Sequence, residues 1–394
     1  MIKINWSGRS HNYTNIEIKN FVKIIKSADP LTQGPHLKKF EKDLSKYLNK
    51  KNISVVSSAA AALDIIAILL NIKKGDEIII PAHTYCASAI PFARNGAKIV
   101  WCDIDLRTQV IDLTDLKKKI TNKTKAIVAV HLYGYACDIY SLKKIVKNKK
   151  IKIIEDCAQA FGARINSNYA GTMGDFGCFS FHAQKNITTL GEGGALYVKD
   201  LTKFNQVKGL RHNGHRDYTF KRKNYWLPAM GNLDEDNKNS WPYKFTLSEI
   251  QCAAGWMMLR RVNKLNQKRI SRAKKIIKKL SSYSELKFHI SNQKNRHVYH
   301  LIPAYCNKTK YFNRDKLIKI LYEKFKIKSI VQYYPLYKYP LFKKKGFKQA
   351  NCPNTENFFN NMISFPFHIN MNDRDFDYMI NSVKKSLEIL RKDI

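Results

Sequence analysis

The chain has 394 residues, 44% of them apolar and 12% aromatic, which fits a globular protein with a sizeable core and excludes a disordered chain. Seventy basic residues stand against 31 acidic ones, a formal net charge of +39. The lysines run along the whole chain without a helix-turn-helix, zinc-finger or RNA-binding aromatic pattern, so the excess reads as composition and not as a nucleic-acid interface.

No apolar run approaches the roughly 20 residues that span a bilayer. The opening Met1-Ile-Lys-Ile-Asn-Trp-Ser lacks the apolar stretch of a secretory signal. Eight scattered cysteines form no Cys-x-x-Cys pair and no metal-ligand spacing. These features lead us to expect a cytoplasmic protein with no membrane span and no bound metal.

From about residue 36 helix-like and strand-like segments alternate. His36 to Leu48 reads as a helix, and Ala59 to Leu70 as a second one rich in small residues, Leu and Ile. Four apolar runs read as buried strands: Glu77-Ile-Ile-Ile-Pro, Lys98-Ile-Val-Trp-Cys, Ala126-Ile-Val-Ala-Val-His and Lys152-Ile-Ile-Glu-Asp. Ser141 to Val146 supplies a crossover helix between the last two. This alternation predicts an α/β fold, with a mainly parallel sheet covered on both faces and ligands at the carboxyl ends of its strands. His131, Asp156 and Lys185 fall at such ends. A long basic helix is expected from Leu247 to about Leu280. Val298 to Pro303 then reads as a strand, Asp315 to Phe325 as a helix, Lys328 to Gln332 as a strand and Asp375 to Arg391 as a closing helix. The expected division is a large domain over residues 1–245, a connecting helix over 246–280 and a smaller α/β domain over 281–394.

The chemistry concentrates in two stretches. Ile153-Ile-Glu-Asp156-Cys-Ala-Gln159 is an apolar strand ending in an acid. Cys178-Phe-Ser-Phe-His-Ala-Gln-Lys185 leads from a strand to one lysine ahead of Gly191-Glu-Gly-Gly. A pyridoxal phosphate (PLP) site needs an amine for the Schiff base and a carboxylate for the pyridine nitrogen. Lys185 and Asp156 are the candidates. A carboxylate about 3 Å from a ring nitrogen contributes about 5 kcal/mol at an effective dielectric of about 20. Gln159 is one turn beyond, within reach of the phenolic oxygen. Ser57-Ser-Ala59-Ala60-Ala-Ala-Leu is a strand-to-helix turn whose N–H groups suit a phosphate. Tyr85, in Pro81-Ala-His-Thr-Tyr85, can stack on the ring.

These motifs resemble the DegT/DnrJ/EryC1/StrS family of PLP-dependent sugar aminotransferases. The likeness runs from Leu31-Thr-Gln-Gly-Pro35 through Val130-His-Leu-Tyr-Gly134, Glu155-Asp-Cys-Ala-Gln-Ala160 and Gly174-Asp-Phe-Gly-Cys-Phe-Ser180. It continues to Tyr243-Lys-Phe-Thr-Leu-Ser-Glu-Ile-Gln251 and Tyr333-Tyr-Pro-Leu-Tyr. The resemblance implies an aspartate-aminotransferase-like fold (PLP fold type I). It implies catalytic Lys185 and Asp156, with cofactor contacts at Ala59, Ala60, Tyr85, Asp156, Gln159, Ser180 and Lys185. Lys244 is expected to reach the phosphate of a second subunit, which makes a homodimer with shared sites. Three departures stand out: Ser58-Ala59-Ala60 in place of Ser-Gly-Thr, Lys244 in place of Asn, and Arg211-His212-Asn213-Gly214 in place of Arg-x-His-Gly. The stretch Met230 to Trp241 looks like an insertion.

Because Lys185 is present, transamination is favoured over the dehydration run by relatives with histidine there. The expected donor is glutamate. The expected acceptor is an anionic ketone: a nucleotide-activated keto-deoxysugar for surface polysaccharide, or a smaller phosphorylated ketone. His131, Arg211, His212 and His215 are the candidate substrate contacts, with Arg216 beside them. The alternative from another class is a regulator that keeps PLP without turnover.

Overall fold

The computed structural model describes residues 2–6, 11–217, 231–235, 240–289, 291 and 295–392. Of the insertion-like stretch, Met230 and residues 236–239 lie outside the described residues. The chain opens with helix α1 (Asn15–Ser27), started by a capping box between Thr14 and Glu17. Helix α2 (Pro35–Leu48) follows, with Pro35 in its first turn; Leu37, Phe40, Leu44 and Leu48 form its buried stripe. Strand β1 (Ile53–Val56) leads through Ser58 into helix α3 (Ala59–Leu69), buried on nearly every side. Next come β2 (Glu77–Pro81), β3 (Lys98–Cys102), β4 (Thr124–Val130), helix α4 (Ile139–Val146) and β5 (Lys152–Asp156). Strands β6 (Phe176–Ser180) and β7 (Gly194–Val198) and helix α5 (Leu201–Leu210) complete this part.

The seven strands make one sheet in the order β1-β7-β6-β5-β4-β2-β3. The pairs from β6 to β3 are parallel, and β7 alone runs against its neighbours. Parallel strands need both faces covered, and these strands are apolar on both sides. Ile78, Ile79 and Ile80 of β2 are fully buried, as are Ala126 to Ala129 of β4. The fold is the mixed, mainly parallel α/β architecture that the alternation implies.

Helix α6 (Glu249–Leu280) is 32 residues long and starts with a capping box between Ser248 and Gln251. Its first half packs on α2, and its last turns, with Ala273, Ile276 and Leu280, enter a second core. That core also holds a three-stranded sheet of β8 (Leu286–Phe288), β9 (Pro303–Cys306) and β10 (Met362–Ser364). Helices α7 (Arg314–Glu323) and α8 (Asp373–Lys392) cover it. Ile4 from the start of the chain joins this second core, whereas Leu336, Tyr337 and Phe342 return to the first.

Two expected strands take other forms. The strand expected at Val298–Pro303 starts only at Pro303, because the preceding residues give their N–H groups to a turn of the large sheet. Val298 N bonds Gly134 O (3.0 Å) and His300 N bonds Tyr133 O (2.8 Å). Gly134 permits this approach: a Cβ there would lie 2.8 Å from the backbone nitrogens of Tyr299 and His300. Lys328–Gln332 forms no ladder beyond a single bridge between Ile330 and Ser364. An apolar run becomes a strand only where a neighbour offers a free edge. Among the described residues no helix is long and apolar enough to cross a membrane, and all eight cysteines are free thiols.

Candidate active site

The carboxyl ends of β2, β4, β5 and β6 open onto a cavity of about 480 Å³. Asp156 closes β5 and faces this cavity. Its Oδ2 accepts from Ser88 Oγ (2.7 Å) and its Oδ1 from Ala158 N (3.0 Å), so the carboxylate is held at a fixed angle. Lys185 lies in the turn between β6 and β7. The turn is tied by bonds from Phe181 N to Gly193 O, Ala183 N to Gly191 O and Lys185 N to His182 O, each of 2.7–2.9 Å. His11 bonds the Lys185 carbonyl at 2.5 Å. Burial pulls the Lys185 amine below its ordinary pKa, while Asp156 and Glu192 oppose the shift. A larger neutral fraction follows, which a nucleophile and proton carrier needs.

At another wall of the cavity stands the N-terminus of α3. Of the four N–H groups that a helix start leaves without an intrahelical partner, Ala61 N goes to Ser58 Oγ (3.0 Å). Ala59 and Ala60 keep theirs for a ligand, and both residues line the cavity with Ser180. Gly194 allows this turn to pack against β7: a Cβ there would lie 2.6 Å from Ala59 N. A cradle of two backbone donors, one hydroxyl and a helix dipole suits a phosphate dianion.

Gln159 is oriented by its neighbours. Its Oε1 accepts from Tyr133 N (2.9 Å), so its amide nitrogen points the other way and donates to Tyr333 Oη (2.7 Å). Tyr85 is 58% exposed at the rim, 6.3 Å from the Tyr333 ring. Lysine, carboxylate, amide donor, aromatic ring and phosphate cradle thus share one cavity, and this donor set fits PLP. Ser88, His300 and Tyr333 belong to the wall too, although no local sequence signal assigns them a role.

The candidate substrate contacts do not gather there. His131 is fully buried on the other face of the sheet. Its Nδ1 accepts from Cys137 N (2.9 Å), so Nε2 carries the proton and donates to Glu155 Oε2 (2.9 Å). Glu155 also accepts from the backbone of Gly171 (2.8 Å), Met173 and Gly174 (both 2.5 Å). This corrects the expectation for His131, which holds a loop to the sheet. Arg211 is likewise buried. Its guanidinium pairs with Glu41 and donates to Ser54 Oγ (2.6 Å) and Val55 O (2.7 Å), tying α5 to β1. His212 and His215 stack at 4.5 Å between ring centres, outside this chain's cavity. His212 is held down to about 4, chiefly by desolvation and then by Lys244. Lys244 is exposed and also lies outside the cavity of its own chain.

Comparison with known proteins completes the picture. The model of the DegT/DnrJ/EryC1/StrS aminotransferase family matches residues 12–384. GDP-perosamine synthase of Escherichia coli O157:H7 is 29% identical over 85% of this chain and 89% of its own. Among solved structures, Spr1654 of Streptococcus pneumoniae in its PMP form superposes with a TM-score of 0.86 at 28% identity, covering 98% of this chain and 99% of that one. Helicobacter pylori PseC, an aminotransferase involved in the biosynthesis of pseudoaminic acid, also gives 0.86, at 27% identity over 98% and 99%.

Proposed function

Because the chain belongs to the DegT/DnrJ/EryC1/StrS aminotransferase family and is a PLP-dependent aminotransferase, we propose that it moves the amino group of glutamate to the keto carbon of a nucleotide-activated deoxysugar. The observation that carries this reading is the convergence of Lys185, Asp156 and the α3 N-terminus on one cavity. The relatives named for GDP-perosamine and pseudoaminic acid support a sugar acceptor.

PLP, when bound, supplies the electron sink for the charge that develops at the substrate carbon bearing nitrogen. The protein does the rest. Ala59 N–H, Ala60 N–H and Ser180 Oγ would hold the phosphate. The Asp156 carboxylate, fixed by Ser88, would keep positive charge at the pyridine nitrogen, and the second N–H of the Gln159 amide, beside the one given to Tyr333, would donate to the phenolic oxygen. Lys185 Nζ, partly neutral through burial, takes the proton from the substrate carbon and returns it one position away. The same residues run both halves: the donor leaves as its keto acid, and the acceptor leaves as an amine.

Incubation with glutamate and a panel of ketones tests the reading. 2-Oxoglutarate formed in step with an aminated nucleotide sugar is the expected result. Turnover confined to small phosphorylated ketones would move the acceptor to that class, and no turnover at all would favour a regulator.

The active unit in this reading is a homodimer in which Lys244 serves the neighbour's phosphate. Its exposure and its place outside its own chain's cavity support that role. In a mixture of Lys185→Ala and Lys244→Ala chains, one site per heterodimer has both residues intact. Part of the activity should return. If chain exchange is confirmed and the mixture stays as inactive as both parents, Lys244 has no such role.

A further inference from the structure

His300 forms part of the cavity wall, yet the chemistry above gives it no task. A chain of buried hydrogen bonds fixes which of its ring nitrogens carries the proton. The chain starts at the carbonyl of Phe161, which can only accept. Asn266 Nδ2 donates to it (3.0 Å), and this turns Asn266 Oδ1 towards Asn186. Asn186 Nδ2 donates to that oxygen (2.9 Å), leaving Asn186 Oδ1 to face His300 Nδ1 at 3.2 Å. An amide oxygen needs a donor opposite it, so Nδ1 is protonated and Nε2 carries the lone pair.

Asn186, Asn266 and His300 are all at least nine-tenths buried, so water does not compete for these bonds. The His300 backbone is pinned to Tyr133 O (2.8 Å). Desolvation, reinforced first by the charge of Lys185 and then by that of Arg269, holds the imidazole well below its ordinary pKa. The ring therefore stays neutral at pH 7. Nε2 is paired with no described residue, and the ring borders the same cavity as Lys185.

A lone pair at that position calls for a donor and repels a carboxylate. The strongest donor on the cavity wall is the amine of Lys185, the residue next to Asn186. One N–H of the Gln159 amide goes to Tyr333, and the other is the one assigned above to the phenolic oxygen of the cofactor. We propose that the Lys185 amine, which makes no hydrogen bond to His300 in this structure but lines the same cavity, turns to donate to His300 Nε2 and is aimed by it, with the Phe161–Asn266–Asn186 relay maintaining the required tautomer. His300 is then a positioning residue, acting through Lys185, and the inference rests on Lys185 being the reacting amine.

The test uses the cofactor-free protein, with the pH dependence of Lys185 acylation read by peptide mapping. An acceptor favours the ammonium form, so losing it lowers the pKa of the amine. In His300→Phe the midpoint should fall by about one pH unit, a tenfold loss in proton affinity. His300→Gln can place an oxygen where Nε2 stood and should retain most of the wild-type midpoint. A residue that only fills space would change melting temperature in both variants and leave the midpoint alone; that result, or an equal fall in Phe and Gln, overturns the proposal. Should the Phe variant not fold, NMR of the wild-type protein with nitrogen-15 histidine decides, His300 being assigned by its absence in His300→Gln. The Nδ1–H tautomer from pH 6 to 8 is expected, and the Nε2–H form or an imidazolium refutes the relay. Borohydride treatment of the holoenzyme separates the two readings. Cofactor fixed on Lys185 with an unmoved midpoint rejects only the role of His300, whereas no fixed cofactor rejects Lys185 as the reacting amine.

Discussion

His131 shows what a single residue's place in a strand does and does not reveal. β4 and β5 pair in parallel with Val130 opposite Asp156 and Ala129 opposite Glu155. Side chains alternate along a strand, so Val130 shares the cavity face with Asp156, and His131 turns to the face of Glu155. His131→Leu should therefore destabilise the fold by about 3 kcal/mol, since it orphans the Cys137 N–H and removes a donor from a buried carboxylate. Denaturant unfolding measures this, and the KM for the acceptor should not change. A raised KM at unchanged stability would return His131 to the substrate. The place of Asp156 and Lys185 on one cavity was legible because PLP chemistry demands those residue types at strand ends. The register that assigns His131 to the far face was not, because it depends on pairing between strands. Arg211 was misread for a similar reason: its partner Glu41 is 170 residues away in the chain.

Helix α3 is the element in which fold and site demand opposite things of one position. Its first turn attracts negative charge through the helix dipole, and the cradle reserves that attraction for a phosphate. Ala60→Asp should leave the cofactor-free protein as stable as before, or more stable by about 0.5 kcal/mol. The same change should weaken PLP binding at least about tenfold through repulsion of the phosphate. Thermal melting without cofactor and a PLP titration report the two effects separately. A parallel loss in both would mean that Ala60 is only a packing residue. Elements were legible where one periodicity ran for long enough: α2, α3, the strands β2 to β5 and the long α6 stand within a few residues of expectation. Val298–Pro303 failed because its apolar run packs across the Tyr133–Gly134 turn instead of joining a ladder. Nothing local distinguishes those two fates.

At the scale of the molecule, acid is the condition this protein should tolerate least. Burial holds His11 and His289 down to about 4 and His83 to about 3, with His297 and His300 well below the ordinary value. Below pH 6.5 the unfolded chain takes up protons that the folded chain refuses. Stability is thus full above the unfolded pKa and falls as pH drops towards the folded values. The slope is about 1.4 kcal/mol per pH unit for each such histidine. Urea unfolding from pH 7.5 to 4.5 should show the midpoint falling steeply below pH 6.5, with an uptake of up to about one proton for each of these rings and for His212. A flat profile would mean that these rings are charged in the native state.

Helix α6 adds a constraint of a different kind. Along one rod it presents Glu249, which caps α2 through Gly34, His36 and Leu37, then Asn266, the middle of the His300 relay, and last Ala273 and Ile276 in the second core. Each residue advances a helix by about 1.5 Å and turns it by about 100°. One residue inserted between Gly255 and Asn266 would keep the composition and the helix, yet rotate everything beyond it by more than a quarter turn. The two ends would no longer face their partners together. Length is thus an inherited phase: the helix tolerates substitution along its exposed side, but change in residue number only by whole turns matched on both cores.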